Sequence, residues 1–416
     1  MKKITASLTL ALMPLCAFSE VFQTTITVEG KGETQTESFN FDVGQDLFDQ
    51  FKSTVLDQSF SNYSDTRSTM AAVSNFRGMP FNTAFPELGS TKLTFDVPKL
   101  GIHETFQGAT RTKSATALEN YLRKNIDGSL TKITKELIAT SPTEPLAGNP
   151  SSLQGQMVAN DFKLGSAAAS PGASSTRQSP FAVGVGGGTY RQGGFDISVI
   201  NVPVSKAFGI DSNDPRKQLL VNGQFNYVTI GEASSYQGGL GVGYRHPLSD
   251  NWYLTPSVSY GVIGSPDLVS LGQILSSSLT SDYQFNVNEY TFSVANMFGF
   301  YKTLPLNVSD INSDPDISSY VLKNGFFVSK VLPFEVLDHK LKLKGFFTDT
   351  EFFGSRVFAS QYNEIGFQID TLGKVKWLDT VTFGLADALS FSGKYIFSIE
   401  NSNDLEGYDL GLSYDF

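Results

Sequence analysis

The sequence predicts an all-β transmembrane barrel of about 12 antiparallel strands, preceded by a small α+β N-terminal region. The last ten residues, GYDLGLSYDF, alternate between large apolar side chains and polar or absent ones, and many segments after residue 180 alternate in the same way. This period of two indicates strands with one apolar face. The 416 residues also include 38 Gly, 34 Phe and 16 Tyr but only 2 Trp, a β-rich balance.

The beginning of the chain has the features of a cleaved secretory signal peptide. Lys2 and Lys3 precede an apolar run over 4–15, and small side chains follow at positions 17 and 19. A positive start, an apolar stretch and small residues at the cleavage site are typical of such signals. We therefore expect a signal peptide over 1–19 and a mature chain that begins at Glu20.

The single cysteine lies within this predicted signal peptide. A lipoprotein anchor at Cys16 is the alternative, but the preceding Leu15 is larger than the small residue that such a site requires. Cleavage after Ser19 would leave a mature chain without cysteine, and therefore without disulfides.

Residues 20–165 mix strand and helix patterns. Alternating apolar residues on both sides of GKGETQT predict a hairpin, and positions 93–97 predict a third strand. Helical spacing predicts helices over 46–57, over 115–125 and from Ser129 onward. We expect a small α+β region that is a periplasmic domain, a plug or a surface passenger.

A small and polar stretch separates this region from the predicted barrel. The residues GSAAASPGASSTRQS begin at Gly165, and their composition is typical of a flexible linker over 166–179. The barrel is then expected over 180–416. Pro256 lies inside one of its alternating segments and cannot donate to a strand ladder, which predicts a bulge or a rim there.

The C-terminal strand carries a family resemblance. Its large side chains share one parity: Tyr408, Leu410, Leu412, Tyr414 and Phe416. A final strand of this kind resembles the closing strand of bacterial outer-membrane β-barrel proteins, in which a terminal Phe and alternating aromatics form the assembly signal. The resemblance implies a place in the bacterial outer membrane. It also implies three partners, namely outer-membrane lipids, the barrel-assembly machinery and periplasmic chaperones.

The predicted number of strands rests on the rule that this number is even. About thirteen segments are candidates, and the segment over 375–385 is the weakest. Bacterial single-chain barrels close on even numbers of strands, so that both ends lie on one side. We therefore predict about 12 strands, with 374–390 as a longer periplasmic connection.

Hydropathy and charge exclude two other classes of protein. After the signal peptide no run approaches the ~20 consecutive apolar residues of a spanning helix, and the mean hydropathy is −0.11. Removing Lys2 and Lys3 from 31 basic residues leaves 29 against 41 acidic ones, a net charge of about −12. Nucleic acid is therefore not an expected partner, because binding it requires clustered positive charge.

Catalytic and metal-binding chemistry is not predicted. His103, His246 and His339 are too far apart in sequence for a metal-ligand motif. Asp338 with His339, and His246 with Ser249, are the nearest candidates for catalytic pairs, but both fall in predicted periplasmic turns. We expect no enzyme activity, no catalytic residue and no cofactor.

Three lysines form a row in one predicted strand. Lys340, Lys342 and Lys344 share the parity opposite Leu341 and Leu343, so they are expected to face the lumen. Such a row could favour anions in an aqueous pore. The alternative is that these lysines pair with acidic residues across the polar interior.

Three functions remain open from the sequence. The first is a pore or channel for small solutes that the N-terminal region gates or plugs. The second is an autotransporter-like surface-display or adhesive protein, because a helical segment and a linker before about 12 strands coarsely resemble that organisation. The third is a structural outer-membrane protein.

Overall fold

The computed structural model describes most of the chain. The described residues are 21–166, 181–308, 311–336, 339–372, 388–399 and 404–415. The predicted signal peptide, nearly all of the predicted linker, the segment over 375–385 and Phe416 lie outside them. Among the described residues, no helix is both long and apolar enough to cross a membrane.

The N-terminal region contains one antiparallel sheet of six strands in the order β2-β1-β3-β4-β5-β6. The strands are β1 (Phe22–Gly30), β2 (Glu33–Phe41), β3 (Ser68–Phe76), β4 (Met79–Phe85), β5 (Lys92–Val97) and β6 (Ile102–Gln107). Alternate side chains of β1, including Phe22, Ile26 and Val28, are fully buried. The sheet therefore has one apolar face, which its alternating sequence requires.

Residues 21–166 also contain five α-helices: α1 (Gly44–Asp49), α2 (Ser53–Ser59), α3 (Arg111–Arg123), α4 (Ser129–Thr140) and α5 (Leu153–Gly165). The prediction of one helix over 46–57 is wrong, because the chain breaks into α1 and α2. Lys52 between them is extended, and this break lets Phe51 bury its ring against Phe81, with 6.4 Å between the ring centres. The helix α5 was not predicted.

The remaining strands form the barrel and one small hairpin. They are β7 (Phe181–Gln192), β8 (Phe195–Gly209), β9 (Gln218–Ile230), β10 (Ala233–Pro247), β11 (Trp252–Ser265), β12 (Ser270–Val287), β13 (Tyr290–Leu304), β14 (Leu306–Val308), β15 (Ile311–Ser313), β16 (Ser318–Val336), β17 (His339–Gly354), β18 (Gln361–Leu372), β19 (Ala388–Phe397) and β20 (Glu406–Asp415). β14 and β15 pair only with each other, and the other twelve strands form a ring in which β20 pairs with β7. The predicted fold class is thereby confirmed as a closed 12-stranded antiparallel barrel.

Two of the prolines in the barrel strands, Pro256 and Pro333, behave differently. At Pro256 the pairing of β11 with β10 is interrupted, but Gly243 and His246 keep one register with β11 on either side, so no bulge forms. A register shift occurs instead between Val331 and Glu335 of β16, the stretch that contains Pro333. The bulge alternative at Pro256 is therefore wrong, because an unpaired position is accommodated there without an inserted residue, and the rim alternative stays a prediction.

The barrel has two distinct ends. We call one of them the basal end. The first barrel strand, β7, begins there and the last, β20, ends there, and this end also carries the turns over 210–217, 248–251 and 288–289. The opposite end, which we call the capped mouth, carries the turn over 266–269 and the small hairpin of β14 and β15. Residues 21–140, here called the cap, lie over this mouth.

Backbone and side-chain contacts fix the cap to the mouth. Gly44 N donates to Asp267 O at 2.7 Å, and Thr131 Oγ1 donates to Asp314 O at 2.6 Å. One continuous apolar cluster joins cap residues such as Phe22 to barrel residues such as Ile230. The cap and the upper part of the lumen therefore share a core.

The outer surface of the barrel is apolar. Large side chains of one parity on each strand are exposed, among them Leu240, Tyr260, Leu279, Phe298, Phe326 and Phe367. In the closing strand Tyr408 and Leu410 are exposed at 65% and 56%, and Leu412 and Tyr414 share their parity. An apolar exterior with a polar interior is the arrangement that a barrel in a lipid bilayer requires.

Candidate functional site: a helix in the barrel lumen

The chain leaves the cap and runs through the barrel. Residues 141–155 are buried without interruption, and Ser152 caps α5 by accepting a hydrogen bond from Gly155 N at 3.2 Å. Near the mouth, Gln237 Nε2 donates to Ser151 O at 2.9 Å. Further down, Thr255 Oγ1 donates to Gly165 O at 3.3 Å. The segment over 141–166, here called the lumen segment, thus passes from the capped mouth toward the basal end.

Glycines allow α5 to approach the wall formed by β9–β13. A Cβ at Gly165 would lie 2.2 Å from Thr280 Oγ1, and a Cβ at Gly261 would lie 2.6 Å from Met157 Sδ. At Gly165 a larger residue would require the helix or the wall to move, because Thr280 Cβ is also only 2.3 Å away, whereas at Gly261 the flexible side chain of Met157 would have to shift. The close approach at the end of the helix therefore depends on Gly165.

Asp161 is the polar anchor of α5. Its carboxylate accepts hydrogen bonds from Ser259 Oγ, from Ser276 Oγ at 2.9 Å and from Tyr301 OH at 2.8 Å. The residue is 1% exposed. A buried carboxylate is tolerated only when hydrogen bonds or charges satisfy it, and here three hydroxyl groups from three barrel strands do so.

The apolar side of α5 packs against other parts of the lumen. Phe162 stacks on Phe327 with 6.3 Å between ring centres, and Lys323 Nζ lies 5.6 Å from the centre of the Phe162 ring. Met157 and Val158 are buried in the same apolar cluster as Phe327. The side of the helix that carries Met157, Val158, Asp161 and Phe162 is therefore enclosed, whereas Lys163 on the other side is exposed.

A charged cluster lies in the other half of the lumen. Glu364 lies between two cations, because Lys323 Nζ contacts its Oε2 and Lys394 Nζ lies 2.6 Å from its Oε1. Asp409 Oδ2 is 3.9 Å from Lys394 Nζ. These groups border a cavity of about 120 Å³ between α5 and the wall, whose charged lining residues are Lys163, Lys323, Lys344, Lys394, Glu364 and Asp409.

An ion pair holds the beginning of the lumen segment, near the capped mouth. Arg77 Nη1 lies 2.8 Å from Glu144 Oε2, and both side chains are almost fully buried. Glu144 Oε1 accepts hydrogen bonds from Leu146 N and Ser270 Oγ, each at 3.2 Å. Burial lowers the pKa of Arg77, and the neighbouring carboxylate acts in the opposite direction. Glu144 thus links the cap, the lumen segment and the barrel rim.

The three lysines of the predicted row differ in burial. Lys344 is buried and borders the lumen cavity. Lys342 is half-buried two positions away, and Lys340 is exposed near the basal end. Their influence on ions stays a prediction.

The histidines are dispersed. His103 Nδ1 lies 2.7 Å from Asp96 in the cap sheet, and His246 Nδ1 lies 3.2 Å from Tyr244 OH. Ser249 is in the exposed basal turn, and Asp338 lies outside the described residues. Within the described ranges, no three His, Cys, Asp or Glu side chains are grouped to hold a metal ion.

The sequence did contain a signal for α5. Leu153, Met157, Val158 and Phe162 recur at helical spacing, and Ser152 precedes them as a favourable N-cap. Asp161 interrupts this series of apolar residues, and the predicted linker begins directly after the helix. The stretch can be a buried helix because the lumen accepts both its apolar side chains and the carboxylate of Asp161.

Comparisons identify no family for the chain. No protein-family model matches it, and the comparison with curated proteins found no match. Solved structures similar to it include the β-domain of the Bordetella autotransporter BrkA, with 13% identity over 58% of this chain and 100% of that one, and a TM-score of 0.42. The translocator domain of the autotransporter NalP from Neisseria meningitidis has 14% identity over 65% and 98%, with a TM-score of 0.42. The NanC porin has 11% identity over 56% and 100%, with a TM-score of 0.34.

The role of Asp161 can be tested by hydrogen exchange. Asp161→Ala removes the acceptor of three hydroxyl groups, and hydrogen bonds to a charged group contribute about 1.5–3 kcal/mol each. Because the substitution also removes the cost of burying the carboxylate, the expected net weakening of α5 docking is smaller than the sum of the three bonds, about 2–4 kcal/mol. Amides over 153–165 should then exchange faster while barrel amides do not. Asn160→Ala is the matched control, because the Asn160 side chain makes no hydrogen bond with any described residue. Equal exchange in both variants would contradict the anchoring role.

Proposed function

We propose that the protein is an outer-membrane barrel that displays its own N-terminal cap at the cell surface and keeps α5 in its lumen. This is the autotransporter-like alternative among the functions that the sequence left open. The observation that carries the proposal is the course of the lumen segment. It connects a folded domain at one end of the barrel to a first strand that begins at the other end.

The sidedness of the proposal rests on the strand number. An even number of strands brings both ends of the barrel to the same side, and in bacterial outer-membrane barrels that side is the periplasm. The basal end would then be periplasmic, and the capped mouth would face the outside. The cap could reach that position only through the lumen or together with it.

The composition of the chain is compatible with this route. A narrow barrel can pass an extended chain but not a loop closed by a disulfide. The single cysteine is at position 16, inside the predicted signal peptide. The cap can therefore fold after it has crossed, around the apolar core that it shares with the mouth.

Surface labelling tests the sidedness. Leu88 is 67% exposed in the cap, and Ser212 is exposed in a basal turn. In intact cells, a maleimide carried on a polymer too large for porins should label Leu88→Cys and leave Ser212→Cys unlabelled. After the outer membrane is opened, both variants should react.

The two cysteine variants serve as controls for each other. Labelling of Ser212→Cys in intact cells, with Leu88→Cys protected until lysis, would place the cap in the periplasm and refute surface display. Heat-modifiable migration of both variants would show that the barrels are folded.

A gated pore is the second candidate, and the lumen cavity favours it. About 120 Å³ remains between α5 and the charged half of the wall, with four lysines and two acidic residues along it. The helix packs mainly on β9–β13, so its release would leave a wider lumen. In this function the cap and α5 close the pore instead of being displayed by it.

Conductance distinguishes a closed pore from a permanently filled barrel. In planar bilayers we expect low conductance from the intact protein and larger conductance after removal of residues 20–165, because α5 no longer fills the lumen. The lysines should favour anions in that current. If both proteins are shown to be inserted and both give negligible conductance, the pore function is refuted.

A further inference from the structure

A second cavity lies between the cap and the barrel rim, outside the lumen. It has a volume of about 530 Å³ and is bounded by α3, α4 and the cap sheet on one side and by the β11–β12 turn on the other. Its walls are mostly apolar and include Phe48, Phe81, Leu122, Ile133, Val269 and Leu271. Sites for small molecules typically have volumes of about 300–1,000 Å³ and walls of this kind.

The size and lining restrict the ligand. At about 30 Å³ for a group the size of a water molecule, the cavity holds on the order of 15–20 non-hydrogen atoms. A polar ligand of that size would leave most of its hydrogen bonds unmade against these walls. A flexible apolar chain with one polar end fits them better.

Arg77 supplies a polar group at this cavity. It lines the wall and is 3% exposed, and its Nε–H donates to no described residue although Nη1 faces Glu144. An unmade hydrogen bond on a buried cation is costly. The Nε atom has almost no accessible surface in this structure, so a carboxylate or ester oxygen of a ligand would reach it after a small turn of the guanidinium toward the cavity.

The backbone at Arg77 is unusual for its residue type. Arg77 and Gly78 form the turn between β3 and β4 with φ angles of 53° and 93°. The first position of such a turn favours Asn, Asp or Gly, because φ is positive there. The chain thus places a guanidinium at a position where its backbone conformation is unfavourable, as it also places Lys31, with a φ angle of 53°, in the turn between β1 and β2.

We propose that this cavity binds a single acyl chain with a carboxylate head, a long-chain fatty acid, whose carboxylate accepts a hydrogen bond from Arg77. The chain would lie between α4 and the β11–β12 turn. The proposal does not depend on the side of the membrane that the cap occupies, so it and surface display can fail separately.

Photolabelling of the full-length protein in phosphatidylcholine vesicles tests the site. The probe is hexadecanoic acid with a photoactivatable group in its chain. We expect labelling of peptides that contain Leu130 or residues 264–271, in addition to the lipid-facing belt, and we expect unlabelled hexadecanoic acid to suppress only the former. Absence of any suppressible label on these peptides would overturn the proposal.

Variants that fill the cavity provide the matched comparison. Leu130 and Thr134 of α4 line it, whereas Lys132 on the same helix is exposed. Leu130→Trp and Thr134→Phe should each reduce suppressible labelling by about tenfold or more, and Lys132→Trp should leave it unchanged. Labelling equal to wild type in both cavity variants, with the barrel folded, would overturn the site.

The head group is tested with an alcohol. Hexadecanol with the same photoactivatable chain lacks the carboxylate, so the wild-type protein should label about tenfold less with it. Arg77→Met should abolish this preference, and Glu144→Gln, which keeps the guanidinium, should retain it. Equal labelling by acid and alcohol in the wild type would overturn the assignment of the head group to Arg77.

Discussion

The carboxylate of Asp161 lies inside the barrel, where hydroxyl groups of Ser259, Ser276 and Tyr301 surround it. A carboxylate buried without these donors would be costly, and the hydroxyl groups would in turn lose their acceptor. The helix and the wall of the lumen therefore require each other. The same helix joins the cap to the barrel, and contacts such as that of Gly44 N with Asp267 O also hold the cap at the mouth.

The ion pair of Arg77 with Glu144 extends this constraint to the mouth. Removing one partner of a buried pair leaves an uncompensated charge, which is far more destabilising than the net contribution of the pair suggests. The pair thus favours one arrangement of cap, lumen segment and rim. The apolar cluster that runs from Phe22 to Ile230 gives that arrangement a core. A cap held in this way is a docked domain, in contrast to a passenger on a flexible tether.

The sequence predicted those parts of the fold that local periodicity encodes. The strands alternate because one face meets lipid and the other meets the lumen, so this alternation predicted the barrel. The requirement for an even number of strands then predicted 12. The placement of the cap could not be predicted, because it depends on contacts such as that of Arg77 with Glu144, which are distant in sequence. The helix α5 was missed because the lumen accepts Asp161 and Phe162 side by side, so no simple amphipathic pattern marks it. Lys344 was found by strand parity, whereas its neighbour Glu364 carries no signal in its own strand that points to Lys323.

The central claim is that α5 occupies the lumen of the assembled protein. A Cβ at Gly261 would lie 3.3 Å from Met157 Cγ. The Sγ atom of a cysteine at position 157 would take about the place of that Cγ, so the distance is short enough for a disulfide between cysteines at the two positions. In whole cells, the Met157→Cys, Gly261→Cys double variant should form this bond and change its migration in non-reducing electrophoresis. Met157→Cys with Val262→Cys should not form it, because Val262 faces outward and is 42% exposed. If a folded Gly261→Cys barrel stays as reduced as the Val262→Cys control, the helix does not lie in the lumen.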